Sequence, residues 1–560
     1  MKKQYYIFVL LLFLLACSGK KQADLIVFNA KVYTVDSSFT TQEAFAIKDG
    51  KFIAIGSSKE ILESYQSANQ IDAKEKFIYP GFYDAHCHFF GLGNSMQQVD
   101  LVGTSSFQEI VQKLVDYKAQ NPNKQWILGR GWDQNDWEDK TFPHRDTLDI
   151  LFPETPVYLV RIDGHAALAN GAALRQGRIG EKPLIEGGQV EGGLVETKNG
   201  KTTGILIDNA MRLVSSVIPP PNEEESKKIL LTAQKACFEN GLTTVDDAGL
   251  GKEIIDLIDK MQKSNELKIK IYAMVSATRA NVEHFIQKGI YKTDRLNVRS
   301  FKIYADGALG SRGACLIKPY SDDPKTTGFL LSRPDELEAN FQLIANSDFQ
   351  ANTHAIGDSA NRIILDMYGK MLKGKNDRRW RIEHAQVVSD EDLAKFKNYS
   401  VIPSVQPTHC TSDMPWAGAR LGFPRVKTAY PYQKLYEQTN ILALGSDFPV
   451  EAVNPIFGFH AAVARQDAEN KPEGGFQMEN AISRENALRG MTIWAAYSNF
   501  EEKERGSIEV GKQADFVMLE SDLMTTENQK LRGIKVLSTF VNGEKVFEHN
   551  KNHISNAKAY

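Results

Sequence analysis

The chain of 560 residues has no excess of basic residues: Lys and Arg number 67 against 70 Asp and Glu, a formal net charge of −3. That balance carries no electrostatic footprint for nucleic acid, and no block of like charge forms an interaction tail. Cysteine is scarce, five in all. Four of them, Cys87, Cys237, Cys315 and Cys410, are too widely spaced for a disulfide framework and sit in apolar or motif stretches that suggest packing. There is no internal repeat and no low-complexity tract. A glycine-rich phosphate turn is also missing, because the run Ala308–Ala314 lacks the Gly-Lys-Ser/Thr ending. What is present is 42% hydrophobic and 10% aromatic residues, the make-up of a globular protein. The length exceeds one compact core, so one large domain with a satellite is expected.

The N-terminus reads as a targeting segment. Lys2 and Lys3 precede an apolar run, Tyr5 to Leu15, that is too short for a stable span. Leu14-Leu15-Ala16-Cys17 resembles a bacterial lipobox. That resemblance implies a signal peptide over 1–16, cleavage before Cys17, lipidation of its sulfur and a polar tether over 17–23. The expected location is therefore the bacterial cell envelope, with the membrane reached through a lipid anchor. Nothing sets the subunit number, and a homo-oligomer stays open.

Both ends of the remaining chain alternate apolar and polar residues around turn signals, Asp49-Gly50 near the start and Asn542-Gly543 near the end. Neither half has enough core alone, so residues 24–76 and 505–550 are expected to pair as one discontinuous β-sandwich. Between them, residues 77–504 alternate strand and helix patterns. The strand-like stretches begin with Phe77–Tyr83 and continue with GLTTVDDAG, KIKIYAMVS, SFKIYADG, FQANTHAIGD, RRWRIEHAQ, VIPSVQPTH and ILALGSDFP. Eight such stretches with helical crossovers predict an α/β fold, a parallel (β/α)8 TIM-type barrel. A doubly wound open sheet is the structural alternative. Residues from about 89 to 222 form a long insertion after the first strand, with strand-like pieces of its own.

Barrel chemistry sits at the C-terminal ends of the strands. There the polar residues are few: His86 and His88 after the first strand, Lys302 inside FKIY, His354, His384 and Asp447. Taken singly, each has an ordinary structural reading as a core histidine, a snorkelling lysine or a helix cap. Taken together, six ligand-type residues at the mouth ends of five strands point to a metal centre. Four further positions, Trp132, Asp133, Arg312 and His409, are candidates for substrate contact, with structural bracing as the competing role. His165 is a candidate for stabilising an oxyanion or holding substrate, against a loop-anchoring role.

These motifs resemble the amidohydrolase superfamily, and in detail the amidohydrolase-3 family with its N-substituted formamide deformylase-like enzymes. The resemblance rests on HxH at His86 and His88, DGALGSRGA after Lys302, THAIGDSAN, RIEHAQ, LGSDFPV, GRGWDQNDW and RIDGHAALAN. It implies two divalent metal ions, the first held by His86, His88 and Asp447 and the second by His354 and His384. Lys302 would bridge them as an N6-carboxylysine. Nitrogen and oxygen ligands suit zinc, with iron or manganese as alternatives. The implied reaction is hydrolysis of an amide-like C–N bond in a small molecule, an N-formyl or N-acyl compound, by a hydroxide bridging the metals, with Asp447 as proton shuttle. The alternatives are a deaminase or esterase on the same scaffold, or a non-catalytic solute-binding lipoprotein.

Overall fold

The computed structural model describes residues 19–179 and 188–549. The expected signal peptide and Cys17 lie outside the described residues. Among those described, no helix is long and apolar enough to cross a membrane, and Cys87, Cys237, Cys315 and Cys410 are free thiols.

The stretch 77–90 serves two sheets rather than one. Phe77–Pro80 pairs antiparallel with Phe516–Leu519 and parallel with Lys31–Tyr33. Only from Phe82 onward does the chain join the barrel. The expected single strand Phe77–Tyr83 is corrected in this respect, and Gly81 is the reason. Its N–H donates to the Asp515 carbonyl, and a Cβ there would sit 2.3 Å from Thr243 Oγ1. Only a residue without a side chain lets the backbone pass this close as it changes sheets.

The barrel strands follow one another in chain order and are all parallel. They are β1 (Phe82–Cys87), β2 (Leu242–Leu250), β3 (Lys270–Ser276), β4 (Leu296–Tyr304), β5 (Gln350–Ala355), β6 (Arg381–His384), β7 (Ile402–Val405) and β8 (Ala443–Leu444). Burial on both faces explains why they read as nearly continuous apolar runs. Crossover helices carry the amphipathic spacing. Glu223–Glu239 starts with a capping box of Asn222 and Glu225, and Pro334–Ala345 buries Leu337, Phe341 and Ile344. Beyond the two-residue β8, the chain closes onto β1 through Asp447 N–H to the His86 carbonyl (2.7 Å) and His88 N–H to the Phe448 carbonyl (2.8 Å). The Asp84 carboxylate strengthens the seam by accepting from Ser446 N–H (3.0 Å) and Oγ (2.6 Å). The two terminal side chains of this seam, His86 and Asp447, are thereby set facing one another.

The two chain ends build two sheets. One contains 25–28, 44–48, 51–56 and 70–72; the other joins 31–33, 41–42 and 77–80 to 516–519, 536–541 and 544–548. Their shared core includes Val27, Phe45, Phe52, Ile78, Phe516 and Phe540. Between β1 and β2 a seven-stranded sheet holds 99–100, 127–132, 157–161, 166–169, 201–208, 193–198 and 189–190 in that spatial order. It has its own core of Leu101, Ile110, Leu114, Trp132, Leu159 and Ile205. Loops of this sheet reach the barrel mouth and share one cavity of about 950 Å³ with it.

Candidate metal centre

His86, in β1, is fully buried, and its Nδ1 lies 2.5 Å from Glu383 Oε2. Its other nitrogen, Nε2, turns to Lys302 Nζ at 3.1 Å. Burial alone would raise the Glu383 carboxyl, but Arg381 and His86 outweigh it and hold it at about 2. An ionised Glu383 thus fixes the Nδ1–H tautomer of His86 and leaves Nε2 as a donor atom. His384 is oriented the same way: its Nδ1 meets Gln406 Oε1 at 2.7 Å, which frees Nε2. His88 Nε2 lies 3.2 Å from Asp447 Oδ1, and His86 Nε2 lies 3.6 Å from the same oxygen. His354 and His384 place their rings 4.5 Å apart.

The electrostatics favour neutral imidazoles around one anion. Burial first, then neighbouring cationic groups, push His354 and His384 well below the ordinary histidine value, and His86 down to about 4. Asp447 is opposite. Burial would raise it, but the His88 hydrogen bond and the His86 and His88 fields drive it well below the carboxylate range. Lys302 is pulled down to about 8, chiefly by burial. His384 and Asp447 also sit in left-handed backbone, φ 74° and 64°. Non-glycine residues rarely adopt it, and it gathers at functional sites.

Two polar atoms of this cluster are buried without a partner among the described residues: His354 Nε2 and His409 Nε2. Neutral imidazoles, an ionised carboxylate and orphaned donor atoms together suit a divalent cation. The ligand atoms of His86, His88 and Asp447 lie within 4.8 Å of one another, and so do those of His384, His409 and Asp447. His409, expected only as a substrate contact, therefore stands among the metal candidates, its Nε2 3.7 Å from Asp447 Oδ2. His354 is beside His384 but outside that close group; its Nε2 faces Asp306 Oδ1 at 3.6 Å.

The sequence profile of the amidohydrolase family matches residues 69–547. The chain belongs to the amidohydrolase family. It is 33% identical over 542 residues to protein LONG AFTER FAR-RED 3 of Arabidopsis thaliana, covering 94% of this chain and 92% of that protein. It is 25% identical over 545 residues to N-substituted formamide deformylase of Arthrobacter pascens, covering 93% and 97%. Among solved structures, an uncharacterized metal-dependent hydrolase from Pyrococcus horikoshii OT3 superposes with a TM-score of 0.73 at 27% identity, covering 90% of this chain and 99% of that one. This amidohydrolase is accordingly a metal-dependent hydrolase built on a barrel.

The remaining expected residues of this amidohydrolase divide sharply. His165, Asp133 and His409 line the cavity. His165 Nδ1 lies 2.5 Å from Asp208 Oδ1, and its ring is 5.2 Å from that of His354. Trp132 does not reach substrate. It is buried in the insertion core, with Nε1 donating to the Leu159 carbonyl at 2.8 Å. A bulge causes the difference: Gly131, at φ 113°, shifts the register between Arg130 and Trp132. The indole then points inward although Arg130, two positions earlier, lines the cavity. Arg312 is likewise corrected; it ion-pairs with Asp322 at 3.0 Å and is not part of the cavity wall.

Sequence reasoning missed Glu383, Arg381 and Asp208. Glu383 and Arg381 are charged residues two apart in an apolar strand, a signal for one inward face. Asp208 carried none, because its partner is 43 positions away.

Proposed function

We propose that this amidohydrolase hydrolyses a carbon–nitrogen bond in an amide-like small molecule, an N-formyl or N-acyl compound. One observation supports this above the others: an ionised carboxylate, Asp447, opens onto the cavity at the meeting point of His86, His88, His384 and His409. His86, His88 and Asp447 would hold one divalent cation, and His354 and His384 a second, with His409 adjacent. Zinc is the first candidate. When bound, such ions polarise a carbonyl and bring the pKa of water towards neutrality.

The chain's own part is positional and protonic. Asp447 accepts a proton from the attacking water at a carboxylate oxygen and passes it to the leaving nitrogen. Its depression by burial-opposing histidine contacts keeps it ionised. His165, held by Asp208 through Nδ1, keeps Nε2 for the carbonyl oxygen as negative charge builds there. The buried Lys302 amine, drawn down to about 8, is neutral often enough to take up carbon dioxide as a carbamate. Such a carbamate would add an anionic oxygen donor beside His86. The Lys302 side chain is also the feature that speaks against a single-metal deaminase.

Replacing Asp447 by Asn should lower kcat by about 10³-fold, within the range for loss of a general acid–base group. Elemental analysis of the same variant should still find most of the metal. Full turnover in Asp447→Asn would remove the proton-shuttle role, and a metal-free wild-type protein with undiminished activity would remove the whole reading. A panel of formyl, acetyl and aminoacyl amides identifies the bond cleaved.

A further inference from the structure

The cavity wall contributed by the insertion holds two arginines with opposite circumstances, Arg161 fully buried and Arg130 partly exposed to the cavity. Arg161 is fully committed: Nη1 pairs with Asp163 at 2.6 Å, Nη2 with Asp133, and Nε donates to Gln134 Oε1 at 2.8 Å. Arg130, on the neighbouring strand, lines the same cavity. Its Nη2 donates to the Ile162 carbonyl at 3.0 Å. Its Nε is buried without a partner, and among the described residues no carboxylate lies within ion-pair distance of its guanidinium. Gly164, at φ 74°, offers only bare backbone beside it; a Cβ there would first touch Arg130 Nη2, at 3.4 Å.

Most carboxylates along the wall are already engaged by neighbours, although Asp208 Oδ2 has no hydrogen-bond partner among the described residues. Asp163 accepts from Arg161 and from His165 N–H at 3.0 Å. Asp133 accepts from Arg161 and from Asn135 N–H at 2.8 Å. Asp208 holds His165, Glu451 accepts from Ser412 Oγ at 2.6 Å, and Asp413 accepts from Gln386 and Tyr430. Arg130 is thus left as a cation facing the substrate space with no protein counter-ion. A guanidinium partly withdrawn from water and without a counter-ion is a ready partner for an anion entering the cavity. Burial depresses its pKa, with Asp163 and Asp447 opposing from further off. With Nε enclosed, the edge that remains is the Nη1–Nη2 fork, whose geometry matches the two oxygens of a carboxylate.

We propose that Arg130 anchors a carboxylate-recognition subsite, and that the amide-like substrate carries a carboxylate away from the scissile bond. This rests on the hydrolytic reading above for its role in catalysis, but the anion site stands or falls on binding. N-acetyl derivatives of alanine, glutamate and phenylalanine, each compared with its primary amide, test it on the metal-loaded enzyme. The wild type should favour the acid over the amide by about 30-fold or more in kcat/KM, an increment of the size expected for a charge-assisted pair. The preference should collapse to within about threefold in Arg130→Gln, and Arg130→Lys should keep part of it. A wild type without preference, or an Arg130→Gln enzyme that keeps it, overturns the subsite while hydrolysis stands. A loss of kcat that is equal for acids and amides also overturns it. If no compound is cleaved, calorimetric binding of the same pairs decides. Acid-selective binding that disappears in Arg130→Gln upholds the subsite and defeats the hydrolytic reading for these compounds. Binding without acid selectivity, or none at all, overturns it. Unfolding midpoints of both variants near that of the wild type ensure that the comparison concerns recognition.

Discussion

Two layers of the barrel interior carry the same kinds of residue, engaged with one another in the lower and open to the cavity in the upper. In the lower layer Arg381 binds Asp246 at 2.7 Å, Ser404 Oγ at 2.9 Å, Glu383 at 3.1 Å and the Ala85 carbonyl. Asn499 closes that network by donating to Asp246 Oδ1 and Tyr83 Oη. One layer up, His354 Nε2 and His409 Nε2 have no partner among the described residues. The lower layer is sealed away from the cavity that the upper one lines. Buried polar groups that complete one another hold a structure in place; those left open are there for something that binds. Glu383 joins the two, anchored below by Arg381 and orienting His86 above.

The contrast can be broken from either side. Removing the lower cation by Arg381→Met should cost about 3–5 kcal/mol, because Asp246 and Glu383 are left buried without their counter-charge. Urea unfolding measures it, and a change under 1 kcal/mol would mean that the lower layer is no more structural than the upper. Stripping metal from the wild type should lower stability by about 2–4 kcal/mol, as expected when a tightly bound ligand is lost. The same chelation should do markedly less to a His86→Ala, His88→Ala double variant, which keeps only the site around His384. An equal shift in both proteins would show that the open atoms are not the ligands.

The smallest effect sharpens the comparison with the sandwich, where a buried carboxylate is fully paired. Asp522 accepts from Lys31 Nζ, Tyr33 Oη and Tyr79 Oη, each at 2.9 Å. Burial raises its carboxyl, but these donors outweigh that and lower it below 3.8. A carboxyl depressed in the folded state adds stability above its unfolded value, and that stability is lost as pH falls through the folded value. Asp522→Asn should therefore flatten the acid limb of stability below about pH 4, the unperturbed aspartate range, and change little at neutrality. Thermal midpoints between pH 2.5 and 7 check this, and a variant with an unaltered acid limb would contradict it.

Much of this could be read before any coordinates. Lys302 stands out in FKIY because an ionisable residue in an apolar barrel strand needs a reason. His354, His384 and Asp447 stand out because barrel strands present their chemistry at one end. Other features were hidden for identifiable reasons. His384 escapes the alternation of β6, which Arg381 and Glu383 obey, because its backbone turns left-handed at the strand end. Gly131 does the same for Arg130 and Trp132, which is why the tryptophan was expected on the wrong side. His409 lies in a helix after β7, and its distance to Asp447 depends on how that helix packs.

The order of residues by itself determined the strand–helix alternation, the pairing of the two chain ends and the identity of the metal-type side chains. These follow from local periodicity and from burial, which a sequence records directly. Tertiary structure alone decided which nitrogen each imidazole presents, which carboxylates are already spent on neighbours, and that Arg130 is left without a counter-ion. Those outcomes depend on contacts between residues tens to hundreds of positions apart and on single left-handed residues that redirect a side chain. No local pattern encodes either.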